Sequence, residues 1–336
     1  MNWPKEIAEL GPLQGYVALQ QWIYARHCET WVNRMAGKDP PYTHNEYVAK
    51  NKFTNVWYCL DRGSIHQAYI VNSPASCADW RNCWFRTMWN KSFNLPSTWN
   101  NFKRETGEEP SIHNFDVKEH TQVLSRLPRP IFGSAYIIPA SPKGTVKHEW
   151  YLQRLARMIE ERVPERIFEA GSFRGAYKIL SEYPLLGSGR ENANPGFLAF
   201  QFCLNLNWSS HLDWKDDGFC VPGPGTRRGL RKCFQWFAAK KYCEVARRIL
   251  THQEECFELV TGHPMPTLFG RRLGTEDVGN LLCDGVDKYC RVAYPELSIP
   301  SDPQRIKHAY DQTKAPPPPR LEFPRCFGID LSLPLV

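Results

Sequence analysis

The sequence predicts a mainly α-helical protein. Apolar residues recur at helical spacing in stretch after stretch, no convincing series of alternating strands occurs, and no internal repeat is found. A chain of 336 residues with 42% hydrophobic and 13% aromatic residues can bury a sizeable core, as one large domain or two ordinary ones. A single helical domain over 1–300, divisible into lobes at about 1–140 and 141–300, and a Pro-rich tail over 301–336 are expected.

Residues 14 to 35 read as one long helix. Tyr16, Leu19, Trp22, Ile23, Arg26 and Trp31 fall near helical spacing, and Gly37 closes it. Pro40-Pro41-Tyr42-Thr43 makes a turn in which Thr43 caps a second helix, with Glu46 completing a capping box. This leads into Phe53–Arg62. Asp79 to Lys91 forms a helix with Trp80, Trp84, Phe85 and Met88, and Thr121 to Leu127 a short one. Lys147 to Arg162 is amphipathic, with Trp150, Leu152, Leu155 and Ile159 on one side and charges on the other. Ser172–Tyr183, the loop Pro184–Gly189 and a helix from about Pro195 to Trp208 read as helix, glycine-bearing hairpin and helix. Such a unit presents backbone amides to a DNA phosphate without reading sequence. Further helices cover about 226–239, 241–261 and 275–292, and the end, with Pro316 to Pro319, is a wrapped or mobile tail.

Charge and cysteine usage narrow the class. Lys+Arg at 42 exceed Asp+Glu at 35, and cations concentrate in 226–232, 240–248 and 271–272, which favours polyanionic partners. The N-terminus Met1–Glu6 has no basic segment followed by an apolar one, so nothing directs secretion, and the twelve cysteines are expected as reduced thiols. No Cys-x-x-Cys pair exists and no His-x-x-x-His completes a knuckle, so no metal site is expected. Lys, Arg, Glu and Asp interrupt every hydrophobic stretch, so no membrane-crossing segment is expected.

The run Asp217 to Phe234 concentrates chemistry-bearing residues. It sets Asp217 beside Gly223 and Gly225, then Arg227, Arg228, Arg231 and Lys232, and Thr226 can cap a following helix. This suits a phosphate beside a proton-transfer group; a Pro/Gly turn with solvated cations is the bland alternative. A nucleotide-binding P-loop is excluded, because no Gly-x-x-x-x-Gly-Lys-Ser/Thr occurs anywhere in the chain.

Ordered blocks along most of the chain carry a resemblance. They are Pro41-Tyr42-Thr43, then Lys52–Val56 and Asp61-Arg62, then Phe93-Asn94 and Thr98-Trp99, then Gly196–Gln201 with Leu206–Ser209. The Pro-Gly-Pro-Gly run follows, and Asp277-Val278 leads to Leu282-Cys283-Asp284 and Asp287-Lys288-Tyr289. In this order they resemble the helical family of thymine hypermodification in phage DNA. That family takes in the helical domain of 5-hydroxymethyldeoxyuridine DNA kinases and the α-glutamyl/putrescinyl thymine pyrophosphorylases, viewed as amino acid:DNA transferases. Tyr58, Asn205 and Asp284 depart from its pattern, which bears on substrate more than on fold.

The resemblance implies a fold like the helix-hairpin-helix DNA glycosylases. It further implies transfer of an amino acid or other amine onto the 5-methylene of a (pyro)phosphorylated 5-hydroxymethyluracil in DNA. The partners implied are duplex DNA carrying the modified uracil, an amino acid or polyamine, and a 5-hmdU DNA kinase. The setting is intracellular, a bacterial cytoplasm for a phage protein or a nucleus for a eukaryotic one. Mg2+ as pyrophosphate counter-ion is the one cofactor the chemistry leaves room for. Asp217, Asp213 and Asp216 are candidates for general base, with Asp61 and Arg62 beside the chemistry. Gly187, Gly189, Gly223 and Gly225, with Arg227, Arg228, Arg231 and Lys232, are assigned to DNA phosphate or leaving group. Arg26, Asn55, Gln201, Asp284, Asp287 and Lys288 are assigned to a base or amine pocket; structural ion pairs and satisfied core polar groups are the rival readings. Cys233 is a candidate nucleophile toward C6, since neighbouring cations lower a thiol pKa. A DNA glycosylase or lyase and a non-catalytic DNA-binding module are the competing functions.

Overall fold

The computed structural model describes residues 1–183, 186, 196–215, 218–235, 241–300, 302–303, 310–314 and 320–333. Helices dominate, and among the described residues there is no strand, only two isolated bridges, Pro12 with Phe234 and Leu268 with Arg271. Among these residues no helix is long and apolar enough to cross a membrane. Contacts divide the chain into two compact units that do not follow chain order. The first is Met1–Asp61 with Asp216–Leu321 and Ile329–Val336; the second is Arg62–Lys215 with Glu322–Gly328.

In the first unit, the helix Gln14–Ile23 passes with unbroken right-handed backbone into a π-helical stretch, Tyr24–Trp31, and on into Val32–Met35. Gly37, at φ 69°, ends it. The same device recurs near the end: Thr275–Leu282, a π-helical stretch Cys283–Lys288, then Tyr289–Ala293. These two rods pack on each other and on the helix Pro224–Cys233. Small residues make the approach close enough. A Cβ on Gly229 would overlap the Leu282 carbonyl, one on Gly225 would overlap the Cys283 sulfur, and one on Gly285 would come within 2.6 Å of the Trp22 ring. Around these contacts Tyr16, Leu19, Trp22, Leu230, Phe257, Leu281 and Val286 are buried as this unit's core.

The second unit is built round the helix Trp80–Phe93, whose residues from Asn82 to Phe93 are all buried. Asp79 caps its start by accepting from the Arg81 amide, and Asn94 ends it in the left-handed region at φ 46°. It packs against Arg62–Asn72, Pro74–Ala78, Val163–Glu169 and Phe197–Leu206. Arg86, buried mid-helix, is held by Glu109 at 2.6 Å and by Ser73 and Ser76.

Several expected boundaries are corrected. Asn45, not Thr43, caps the helix Glu46–Lys50 by accepting from the Val48 amide, while the Thr43 hydroxyl donates to Glu29. Gly223 precedes the helix Pro224–Cys233 with Pro224 as its first residue; Thr226 is inside, buried, donating to the Gly279 carbonyl at 3.2 Å. The single helix expected over 241–261 is two, Tyr242–Thr251 and Gln253–Thr261, because the chain breaks at His252. The helices on either side of the expected hairpin form as Phe173–Ser181, capped by Ser172, and Phe197–Leu206, while 187–195 lies outside the described residues. In the tail, the Tyr310 amide donates to the Lys50 carbonyl and buried Gln312 accepts from the Tyr42 amide, so 310–312 wraps onto the first unit.

Candidate functional site

Five of the singled-out residues meet in the first unit. Arg26 projects from the first π-helical stretch, where its Nε donates to the Thr54 carbonyl at 2.8 Å and its Nη2 to Asn55 Oδ1 at 2.7 Å. The Asn55 amide donates to Asp61 Oδ1 at 2.8 Å, and the Asn55 side chain donates to the Leu60 carbonyl, closing a tight loop over 55–61. Asp284, on the second π-helical stretch, accepts from the Thr54 amide at 2.7 Å. Lys288, one turn further, donates to the Lys52 carbonyl, lies 4.9 Å from the Phe53 ring centre and 3.9 Å from Asp284. The segment 52–55 is thus pinned from both sides, by a guanidinium and by a carboxylate.

Asn280 completes the arrangement. Its amide donates to Asp61 Oδ2 at 3.1 Å, so both Asp61 oxygens are held. Asn280, Asp284 and Lys288 lie four residues apart, on one stripe of the rod. That spacing was readable for Asp284 and Lys288, and extending it back by one turn would have found Asn280.

The electrostatics follow from burial. Asp61 is half-buried, and desolvation pushes its carboxyl up to about 7; the Asp284 carboxylate adds to this, while the Asn55 amide, Arg26 and Asn280 oppose it. Burial also lowers Arg26 from its usual value, against the pull of Tyr310, Asp61 and Asp284. Lys288 is lowered by desolvation, with Asp284 opposing. A carboxyl poised near neutrality beside a guanidinium can both accept and return a proton at physiological pH.

The basic run is arranged differently from the expectation. Lys232 is buried, with Nζ 3.0 Å from Asp287 and 2.8 Å from Asp302, and Arg228 donates twice to Asp287. Two cations and two carboxylates thus neutralise one another between helices, and Lys232, Arg228 and Asp287 act as a structural lock. Gly225 faces Cys283 in helix packing, not an anion. Arg231 is exposed and Arg227 half-buried on the same helix. Cys233 is fully buried and its thiol is raised well above the usual value by desolvation, against which Lys232 is too weak, so it is corrected from nucleophile to core residue.

The remaining residues are apart from this centre. Asp213 is exposed and pairs with Lys215 at 2.7 Å in the second unit. Gln201 is buried there, its Oε1 without a hydrogen-bond partner among the described residues, and Arg62 opens that unit's helix Arg62–Asn72, exposed. Gly223 precedes its helix in extended backbone. Asp216, Asp217, Gly187 and Gly189 lie outside the described residues.

Fold and site define a mainly helical protein centred on a carboxylate–guanidinium network. The family model for the 5-hmdU DNA kinase, helical domain, matches residues 15–299, and the chain belongs to that family. Membership ties it to thymine hypermodification in DNA. Neither the comparison with curated proteins nor that with solved structures gives a match.

Proposed function

We propose that the chain transfers an amine onto the 5-methylene carbon of a uracil in DNA whose 5-hydroxymethyl oxygen carries phosphate or pyrophosphate. The observation that carries the reading is Asp61, a half-buried carboxyl titrating at about 7 and held by Asn55 and Asn280 beside Arg26. Nucleophilic displacement by an amine needs such a group. The neutral amine attacks the methylene carbon, a C–N bond forms, and the C–O bond breaks with its electron pair leaving on (pyro)phosphate. The new secondary ammonium then gives its proton to the Asp61 carboxylate. Arg26 sets the position of Asn55, and through it of Asp61. The family's tie to 5-hmdU supplies the class of base, and a base acted on at this carbon must be reachable outside the stack, as in glycosylases of helix-hairpin-helix type.

The test is incubation of the full chain with duplex DNA carrying 5-pyrophosphoryloxymethyluracil and a mixture of amino acids and polyamines, followed by nucleoside mass spectrometry. A new adduct mass that disappears with Asp61→Asn is the expected result. Release of free base would make the protein a glycosylase, and intact DNA that is nonetheless bound would make it a non-catalytic module.

A further inference from the structure

One buried carboxylate of the first unit stands outside the centre described above and still touches its loop. Asp277, in the first turn of the helix Thr275–Leu282, is wholly buried. Its Oδ2 accepts from the Gly274 amide at 2.9 Å and from Arg271 Nη1 at 3.3 Å, which caps the helix start and neutralises the charge. Arg271 is held in turn by Glu276 and by the tight turn 268–271. The other oxygen serves no helix end. Asp277 Oδ1 accepts from the Tyr58 amide at 2.7 Å.

Tyr58 leads directly to Asp61. Its carbonyl accepts from the Asp61 amide at 3.2 Å across the short 3-10 turn Tyr58–Leu60. One rod therefore grips the segment 54–61 at three points: Asp277 on the Tyr58 amide, Asn280 on Asp61 Oδ2 and Asp284 on the Thr54 amide. Spacings of three and four residues keep the three on one face. A capping carboxylate can do its work at the surface. This one is carried into the core, where an ionised group is costly, and what it reaches there is the turn that ends at Asp61.

We infer that Asp277 is a positioning residue for Asp61: through the Tyr58 backbone it fixes the turn that holds the Asp61 carboxyl in place. The inference rests on the transfer reading for what Asp61 does, but the setting of Asp61 can be measured without DNA. Asp277→Asn breaks the loop contact selectively. Its single oxygen is drawn to the Gly274 amide and the Arg271 cation, which turns the NH2 onto the Tyr58 N–H and releases the turn. By carbon NMR of labelled aspartate in the full chain, Asp61 should then titrate about one pH unit or more below its wild-type value, as the loosened turn admits water. Arg271→Lys keeps a cation beside Asp277 and leaves Oδ1 to Tyr58, so Asp61 should titrate as in the wild type. In transfer, Asp277→Asn should lower kcat about tenfold or more with KM for DNA unchanged, and move the acid limb of the pH profile down with Asp61.

Asp61 unmoved in a folded Asp277→Asn protein, or moved as far by Arg271→Lys, overturns the inference. Hydrogen exchange of the wild type tests it without any variant. The Tyr58 amide should exchange as slowly as the amides of the helix Thr275–Leu282, and fast exchange at Tyr58 beside a protected helix overturns the inference too. Wild-type transfer with Asp61 unmoved by Asp277→Asn leaves the transfer reading intact. A shifted Asp61 with no adduct from any amine sinks the transfer reading and leaves the positioning role standing.

Discussion

Asp61→Asn separates a titrating carboxyl from an ordinary one through stability alone. In the folded protein the carboxyl is pushed from 3.8 up to about 7. Between those values the folded state holds a proton that the unfolded state has lost, so the wild type loses stability as pH rises through that window, and the full deficit is present above about 7. Three units at 1.36 kcal/mol each give a deficit of about 4 kcal/mol, of which about 3 kcal/mol accrues between pH 5 and pH 8. Asparagine carries no charge, so the variant escapes it. Its oxygen can still accept from the Asn55 amide, but its NH2 opposes that of Asn280, at a cost of about 1–3 kcal/mol that does not depend on pH. Urea denaturation of both proteins at pH 5 and pH 8 is the assay. The variant should be level with or below the wild type at pH 5 and above it at pH 8, the difference moving by about 3 kcal/mol. A difference that stays constant between the two pH values would refute the argument, because Asp61 would then be ionised throughout like a surface carboxylate. The gain in stability at pH 8 should coincide with a loss of transfer of about 10²-fold or more, the pattern of a group kept in place for chemistry.

Arg26→Gln removes the cation that opposes the rise at Asp61, so the Asp61 carboxyl should titrate higher than in the wild type, read by carbon NMR of labelled aspartate. Lys232→Met strips one partner from buried Asp287 and Asp302 and should cost about 3 kcal/mol in urea denaturation, whereas Arg231→Ala, exposed on the same helix, should change stability by about 0.5 kcal/mol or less. Gly229→Ala drives a Cβ into the Leu282 carbonyl and should destabilise by about 1–3 kcal/mol, measured the same way.

The parts of this fold that local sequence can encode were legible. The helices expected from Asp79 and from Ser172 form, with those two residues as their caps, and the rod beginning at Gln14 and ending before Gly37 followed from apolar spacing and a glycine stop. Asp284 and Lys288 shared a face because four residues make about one turn. The basic run misled because spacing tells which cations share a face and not what that face meets. Asp302, seventy residues beyond Lys232, and Asp287 turn it inward, and no local pattern signals a partner so distant. Asn55 and Asp61 were marked separately, but their contact depends on a loop closed between side chain and backbone, with the Asn55 backbone amide donating to the Asp61 carboxylate and the Asn55 side chain to the Leu60 carbonyl, and no periodicity signals such a closure.

The two π-helical stretches were not legible at all, and they are where the site is built. A π turn accommodates an extra residue without ending the helix, so apolar periodicity on either side continues to read as plain helix. Such turns are rare and need support, and here each has some. The Thr30 hydroxyl donates to the Ala25 carbonyl five residues earlier, and Gly285 lets the second stretch lie directly against the Trp22 ring. With both stretches fixed by packing, Arg26 and Asp284 approach the segment 53–55 from separate rods, each held by the core and not by the loop it grips. A carboxyl lifted to about 7 requires that rigidity: if the loop over 55–61 opened, Asp61 would become more fully hydrated and fall toward its ordinary value. The same packing that fixes the two rods against each other therefore keeps the proton-transfer group poised.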